Sequence, residues 1–322
     1  MNFKSLALGT IVLFVFSLVQ FPVEQAEKRP VLPTTASELG KLLFMDSILS
    51  EDYTLSCASC HIPEYAFADT SAVSLGVYGQ KGTRNSPSAM NVLSRPIFFW
   101  DGRANSLEQQ ALMPIENPIE MNLPVDSAVA RLQQSVFYSA AFQQVFNQAP
   151  SKETLASAIA EFERTLETGA PIDQFNAGDS SAISASAMRG MTIFNEKGRC
   201  FDCHFGPDMT GDEIRSIGTF DAIEFTDTGL FDITKDSADL GKFKVPTLRN
   251  TAVTGPYMHD GSFKTLREVI VYYNDPVAMR PHGINRDTSL AQPLGLTEQE
   301  MDDLEEFMKA LTAPQFEHLL KD

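Results

Sequence analysis

Two short stretches of the chain place two cysteines and a histidine at the same spacing. They lie at residues 57–61 (CASCH) and 200–204 (CFDCH), and they contain all four cysteines. Cys-X-X-Cys-His is the attachment motif of c-type haem, in which two thioethers hold the porphyrin and the histidine binds the iron. A zinc site or a redox dithiol would also use cysteine pairs, but neither explains the histidines. The attachment residues of two predicted haem c groups are Cys57, Cys60, His61, Cys200, Cys203 and His204.

The histidines restrict how the two irons can be coordinated. The chain has His61, His204, His259, His282 and His318. None lies between His61 and His204, so the first half offers its own haem no second histidine. Methionine is an alternative ligand, but the spacing singles out none of Met90, Met113 and Met121. The simplest prediction is a first haem with an open sixth position, which activates small molecules rather than only passing electrons.

An apolar run near the N-terminus predicts export from the cytoplasm. Residues 6–19 are largely apolar and follow Lys4, which is typical of a secretory signal peptide and is short for a membrane span. We assign residues 1–26 to a signal peptide or an uncleaved anchor and expect a periplasmic protein. The net charge of −17 argues against nucleic acid as a partner.

The elements that must position the two motifs form two similar halves. Residues 40–44 (GKLLF) and 190–194 (GMTIF) are alike, and each is expected to lie in a short helix that leads into a haem motif. A helix capped by Ser151 should close the first half and end at Gly169 and Pro171. Its buried face would comprise Leu155, Ile159, Phe162 and Leu166.

A last helix should begin at Thr297, with Glu300 completing a capping box. Its buried stripe would comprise Leu304, Phe307, Met308 and Leu311. Residues 205–242 are rich in Asp, Gly and Thr and predict a long ordered loop or a small hairpin. The fold class is therefore mainly α, with two cytochrome c-like domains at 27–168 and 169–322, long loops and few short strands.

Several sequence blocks occur in an order that resembles the bacterial di-haem cytochrome c peroxidase and MauG family. They are GTRNSP at 82–87, FWDGR at 99–103, LEQQA at 107–111, NPIEM at 117–121, KVPTLRN at 244–250 and GPYMHDG at 255–261. The resemblance covers about Leu39 to Leu311. It implies that Glu120 is the distal catalytic carboxylate, that Gln110 is its distal partner, and that Trp100 lies between the two haems.

The same resemblance implies a calcium ion between the haems. The matching ligands are the side chain of Asn85 and the backbone carbonyls of Thr254 and Pro256. All-oxygen ligation suits a hard cation. Because two of the three ligands are backbone groups, the identity of their side chains says little about calcium.

Two positions depart from the pattern of the peroxidases that need reductive activation. Val77 stands where those enzymes have a histidine that caps the first haem, and this predicts an open first haem unless Tyr78 caps it. Tyr273 stands where the classical peroxidases have a methionine on the second haem, and MauG has tyrosine there. We expect Tyr273 as the sixth ligand, with Met258 and Met279 as alternatives. A phenolate ligand would lower the potential of that haem, whereas methionine would raise it.

These features favour a cytochrome-c peroxidase-type enzyme that reduces hydrogen peroxide with electrons from a cytochrome c or a cupredoxin. The alternative is a MauG-like oxidase that acts on side chains of a partner protein. A third hypothesis is a di-haem electron-transfer protein without catalysis. The resemblance also implies that the chain could form a homodimer. One acidic cluster could dock a basic donor, although a solvated loop is the favoured explanation: Asp208, Asp212, Glu213, Asp221, Glu224 and Asp227.

Overall fold

The structure, a computed structural model, describes residues 31–320, so the expected signal segment at 1–26 lies outside the described residues. The α-helices are α1 Ala36–Met45, α2 Leu107–Glu116, α3 Val125–Gln134, α4 Val136–Phe146, α5 Lys152–Glu163, α6 Pro171–Asn176, α7 Ala185–Asn195, α8 Phe231–Thr234, α9 Leu266–Asn274, α10 Pro276–Met279 and α11 Glu298–Lys309. The strands are β1 Ile214–Arg215 and β2 Phe243–Lys244. The mainly helical fold class is therefore confirmed.

Local sequence signals set the beginnings of the main helices. Ser151 caps α5, where its hydroxyl accepts from the N–H of Thr154, and Thr297 caps α11 in a capping box with Glu300. Both starts match the prediction. The end of α5 was predicted wrongly, because the helix stops at Glu163 rather than at Gly169. Leu166 nevertheless remains buried beyond the helix end.

The two halves share one helix crossing. A Cβ on Gly40 of α1 would overlap the carbonyl oxygen of Ala158 on α5, and a Cβ on Gly190 of α7 would overlap the carbonyl oxygen of Asp303 on α11. Glycine at both places lets the backbones touch, since any side chain would hold the helices apart.

Aromatic rings pack identically beside each crossing. Phe44 and Phe162 have ring centroids 5.1 Å apart at 63°, and Phe194 and Phe307 have centroids 5.1 Å apart at 58°. The weak likeness of the two sequence segments is thus a true structural repeat. It also sets the correspondence between positions of the two halves, with α5 matching α11.

Each half has its own hydrophobic core. The first core is built mainly from α1 to α5, and the second from α6, α7, α9 and α11. The change from one core to the other falls between Leu166 and Ala170. The C-terminal segment departs from this order, because Ala313 and Phe316 pack into the first core. Among residues 31–320 no helix is both long and apolar enough to cross a membrane.

The segment after the second haem motif is mostly loop. Its strand β1 pairs with β2 in antiparallel register, with Ile214 opposite Lys244 and Arg215 opposite Phe243. The short α8 and a 3-10 turn at Ser237–Asp239 lie between them. This arrangement matches the first of the two predicted alternatives, a long ordered loop, because α8 and the 3-10 turn separate the paired strands. It also carries the chain from the second haem motif back to Trp100, whose carbonyl accepts from the N–H of Lys244 at 2.7 Å.

Candidate functional site

The first haem motif sits on a 3-10 turn that follows α1. The turn spans Cys57–Ser59, and the N–H of His61 donates to the carbonyl of Cys57 at 2.9 Å. In a 3-10 turn, side chains three residues apart project in the same direction, so Cys57 and Cys60 face the same side. Two thiols on one side are what attachment to a porphyrin edge requires.

The ring of His61 is oriented for metal ligation. Its Nδ1 donates to the carbonyl of Phe67 at 3.1 Å, so the lone pair is on Nε2. Burial lowers the pKa of His61, which keeps the ring neutral, as a metal ligand must be. Phe44, with its ring centroid 6.3 Å from that of His61, forms part of the apolar wall.

The second haem motif repeats this geometry. Its 3-10 turn spans Cys200–Asp202, and the N–H of His204 donates to the carbonyl of Cys200 at 2.9 Å. Nδ1 of His204 donates to the carbonyl of Met209 at 3.1 Å. Burial lowers the pKa of His204 to about 4. Both motifs therefore fit haem c. The zinc alternative does not fit, because no group of three His, Cys, Asp or Glu side chains within residues 31–320 is placed to hold a metal.

Glu120 lies on the loop that follows α2, and this loop packs against Gly76. Its Oε1 accepts from Nδ2 of Asn117 at 2.7 Å, and its backbone carbonyl accepts from the N–H of Val77 at 2.8 Å. Burial raises its pKa, with Arg103 and Asn117 acting in the opposite direction. The charge of Glu120 also raises the pKa of Cys60, but less than burial and the charge of Asp69 do. A carboxyl with a raised pKa near a haem is suited to proton transfer.

Asn117 is a site residue that the sequence analysis missed. The structure pairs Glu120 with Asn117, whereas Gln110 is half-buried on α2 one turn before Pro114. The spacing in the sequence could have indicated this pair, because Asn117 precedes Glu120 by three residues. In the structure the two residues form a turn in which the N–H of Glu120 donates to the carbonyl of Asn117. Side-chain partners of this kind follow from turn geometry rather than from residue type alone.

The two residues that bear on a cap of the first haem, Val77 and Tyr78, lie in one 3-10 turn. Val77 is fully buried in this turn and stands at the position where the sequence analysis placed the capping histidine of the reductively activated peroxidases. Tyr78, the other considered cap, is 68% exposed and has a left-handed backbone with φ 58°. Its side chain therefore points to solvent rather than into the first half.

Trp100 lies where the two halves meet. Its Nε1 donates to the carbonyl of Asn85 at 2.8 Å, and its ring packs edge-on against His259 with centroids 6.5 Å apart. The N–H of Asn85 donates to the carbonyl of His259 at 2.7 Å. The ring of His259 stacks on Phe243 at 3.8 Å. The single tryptophan is thus a packed contact between first-half and second-half segments.

The predicted calcium ligands lie on two segments that the structure joins. Asn85 is 6% exposed, and its Nδ2 donates to the carbonyls of Ser71 and Ala72 at 3.2 and 3.3 Å. These bonds turn the amide nitrogen of Asn85 toward the two carbonyls and its side-chain oxygen away from them. The hydrogen bond from Asn85 to His259 brings this asparagine next to the segment that carries Thr254 and Pro256.

Tyr273 lies half-buried on α9, in the half that carries the second haem motif. Burial raises its pKa most, followed by the charges of Tyr272, Cys203 and Cys200. Its neighbour Tyr272 is fully buried on another face of α9 and donates to the carbonyl of Ile217 at 2.6 Å.

The two methionine alternatives are placed differently from Tyr273. Met279 is 45% exposed at the end of α10. Met258 is half-buried with φ 71°, beside His259. The exposure of Met279 makes it the less suitable of the two as an iron ligand.

Three carboxylates of the acidic cluster, Asp208, Asp212 and Asp227, form ion pairs with arginines, whereas Glu224 is exposed. Arg95 binds both Asp208 and Asp212, the latter at 2.8 Å. Arg84 binds Asp227 through two bonds of 2.7 and 2.8 Å. These arginines belong to the first half, so the ion pairs fasten the two halves together.

Comparisons with known proteins match both halves of the chain to haem-binding families. A sequence profile of the di-haem cytochrome c peroxidases matches residues 34–181, and a cytochrome c profile matches residues 187–312. The chain is 37% identical over 314 residues to cytochrome-c peroxidase IdrP1 of Denitromonas iodatirespirans, covering 87% of this chain and 82% of that protein. It is 35% identical over 291 residues to the methylamine utilization protein MauG of Methylophilus methylotrophus, covering 85% and 81%.

Solved structures share this fold. A MauG-like protein associated with microbial copper homeostasis superposes with a TM-score of 0.79 at 31% identity, covering 92% of this chain and 99% of that one. The di-haem peroxidase BthA of Burkholderia thailandensis superposes with a TM-score of 0.78 at 24% identity, covering 90% and 89%, which shows a common fold.

Proposed function

This chain belongs to the bacterial di-haem cytochrome c peroxidase and MauG family, and from this premise we propose that it reduces hydrogen peroxide to water with electrons from a small donor protein. The family makes it a peroxidase-type oxidoreductase that carries haem c. The observation that carries the proposal is the half-buried carboxyl of Glu120, whose orientation is fixed by a hydrogen bond of 2.7 Å from Asn117. A protein that only passed electrons would have no use for it.

The side chains of the first half divide the work of peroxide reduction. When bound, the haem c groups supply an iron that binds and reduces peroxide and a second iron that stores an electron. Glu120 takes the proton from one peroxide oxygen and returns it to the other as the O–O bond breaks. Gln110 orients the peroxide, and Val77 leaves room for it. Trp100 supplies the packed aromatic contact between the halves.

The donor docks beside the second haem motif in this proposal. Phe201 lies inside that motif and Phe205 directly follows it, and they are 50% and 37% exposed, with ring centroids 6.1 Å apart. An exposed aromatic pair at a haem attachment site suits a small cytochrome c or cupredoxin, because weak electron-transfer complexes use small contact areas. Such donors are periplasmic, so we place this protein in the periplasm.

A calcium ion is part of the proposal. The oxygen of Asn85 and the carbonyls of Thr254 and Pro256 would hold it, and oxygen ligands are those that calcium prefers. The bonds that orient the Asn85 amide support this site, since they fix its donor side toward Ser71 and Ala72. A homodimer, which the family resemblance implied, is likewise a proposal.

A MauG-like oxidase is the second candidate, and Tyr273 favours it. Tyr273 would hold the iron of the second haem, and the charges of Cys203 and Cys200 are among the smaller influences that raise the pKa of its hydroxyl. A tyrosinate ligand lowers the haem potential and stabilises oxidised iron, which suits the oxidation of a partner side chain more than uptake of electrons from a cytochrome. Rapid oxidation of reduced cytochrome c by peroxide would favour the peroxidase.

Turnover of the Glu120→Gln variant tests the leading proposal. Glutamine keeps the size of the side chain and can accept from Asn117, but it cannot carry the proton. Peroxidase kcat/KM should fall about 10²- to 10⁴-fold with both haems attached. Glu64→Gln is the matched control, because Glu64 is an exposed carboxylate three residues after His61. Full activity of Glu120→Gln would exclude Glu120 as the acid-base group.

A further inference from the structure

Glu163 is a buried carboxyl that the proposed mechanism does not use. It is the last residue of α5 and is 6% exposed. Its Oε2 is buried without a hydrogen-bond partner among residues 31–320. The adjacent Arg164 donates no hydrogen bond to Glu163, since its guanidinium donates to Glu108 at 2.7 Å and to Glu161 at 2.8 Å. Burying an unpaired polar group is costly, so its presence needs a cause.

The carboxyl of Glu163 is at the end of a helix that packs with Cys57 in the first core, since Cys57 packs against the buried cluster that includes Ile159 and Phe162 of α5. Its charge is the largest influence, after burial, that raises the pKa of Cys57. A thioether has no hydrogen to donate, so attachment of a haem at Cys57 would give the carboxylate of Glu163 no hydrogen-bond donor there. The buried residues of α1 and α3 in this core are apolar as well.

The structural repeat shows that the scaffold does not require this carboxyl. Phe162 of α5 corresponds to Phe307 of α11, because each packs next to the close glycine crossing of its own half. The residue that follows is Glu163 in the first half and Met308 in the second. Met308 is 7% exposed and packs in the second core. An apolar side chain therefore fills this place where the carboxyl is not needed.

We propose that Glu163 is a proton-accepting group coupled to the redox state of the first haem. When one electron reaches that haem, Glu163 takes one proton from solvent. When one electron leaves, Glu163 releases that proton to solvent, and its negative charge offsets the charge gained. The electron comes from the donor protein of the proposed function, on which this inference rests. Peroxide reduction consumes two protons with its two electrons, and Glu163 would couple one of them to electron arrival.

The surroundings of Glu163 raise its pKa into the range close to neutral pH. Burial raises its pKa to about 8, Arg164 lowers it, and Glu108 on α2 raises it. Cys57 becomes an uncharged thioether on haem attachment and adds no charge. A positive charge nearby favours the ionised carboxyl, so the pKa with oxidised iron lies below that with reduced iron. Between these two values, oxidation releases a proton.

The midpoint potential of the first haem, measured against pH by spectroelectrochemistry of the holoprotein without peroxide, tests the inference. In the native protein the potential should fall as pH rises, approaching a tenfold change in the ratio of oxidised to reduced haem per pH unit, or 59 mV for one electron. Glu163→Gln and Glu163→Met should abolish this slope. Glu153→Gln should keep it, because Glu153 is exposed at the other end of α5. The potential of the second haem should not respond to any of these changes.

A flat potential in the native protein, or a slope that survives in Glu163→Gln, would overturn the inference. Redox-difference infrared spectra give a second readout, since oxidation should remove the band of a protonated carboxyl in the native protein and not in Glu163→Gln. Neither measurement involves peroxide turnover. A failed peroxidase assay with an intact slope would reject the proposed function alone, and a flat slope with full turnover would reject the role of Glu163 alone.

Discussion

Replacing Asn117 with alanine removes the amide that donates to Oε1 of Glu120 over 2.7 Å. A hydrogen bond to an ionised group contributes about 1.5–3 kcal/mol, and one pKa unit corresponds to about 1.4 kcal/mol. The pKa of Glu120, already raised by burial, should therefore rise by a further one to two units, approximately. The working form of Glu120 is the carboxylate, so activity is lost as pH falls through this pKa.

The assay is kcat/KM for hydrogen peroxide as a function of pH. The acidic limb of the profile should move up by about one to two pH units in Asn117→Ala, so that the rate well below the limb falls roughly ten- to hundredfold and recovers at high pH. Asn122→Ala is the matched control, because the amide of Asn122 lies in the same loop but donates to Glu51. An unshifted limb in Asn117→Ala would show that this hydrogen bond does not set the protonation of Glu120.

Three further changes test other parts of the structure. Gly40→Ala should lower the stability of the holoprotein by about 3 kcal/mol, because the new Cβ overlaps the carbonyl of Ala158, and thermal unfolding measures this loss. Tyr273→Met should raise the potential of the second haem, which a redox titration detects, and an unchanged potential would exclude Tyr273 as its ligand. Val77→His should convert the ferric first haem from high-spin to low-spin, as seen by electron paramagnetic resonance, whereas a native protein that is already low-spin would contradict an open first haem.

The covalent chemistry of this protein could be predicted from the sequence because its residues are neighbours along the chain. A haem c motif needs two thiols and an imidazole within five residues, and a 3-10 turn brings them to one side without help from distant segments. The likeness of residues 40–44 and 190–194 was also sufficient to predict the repeat. It survives because both glycines must let two backbones touch.

The features that the sequence did not reveal depend on distant partners. The sequence predicted a solvated loop for the acidic residues of the second half, because their partner is far away in the chain. Arg95 lies 113 residues before Asp208 and 117 residues before Asp212. Local charge gives no sign of such pairs. The sequence likewise predicted only that Glu163 lies in a helix. That its Oε2 lacks a hydrogen-bond partner depends on how the whole core packs.

The division of labour between the two halves follows from a few positions on one shared scaffold. Both halves build the same turn, the same orienting bond to the histidine ring and the same helix crossing, so these features cannot distinguish a catalytic haem from a relay. The first half adds the ionisable groups Glu120 and Glu163. The second half has Met308 in place of Glu163. Its carboxyls near the haem motif, Asp202, Glu213 and Asp287, form ion pairs with Arg199 or Arg215. Peroxide reduction consumes protons and electron relay does not, so carboxyls without an arginine partner are expected in the first half and not beside the second motif.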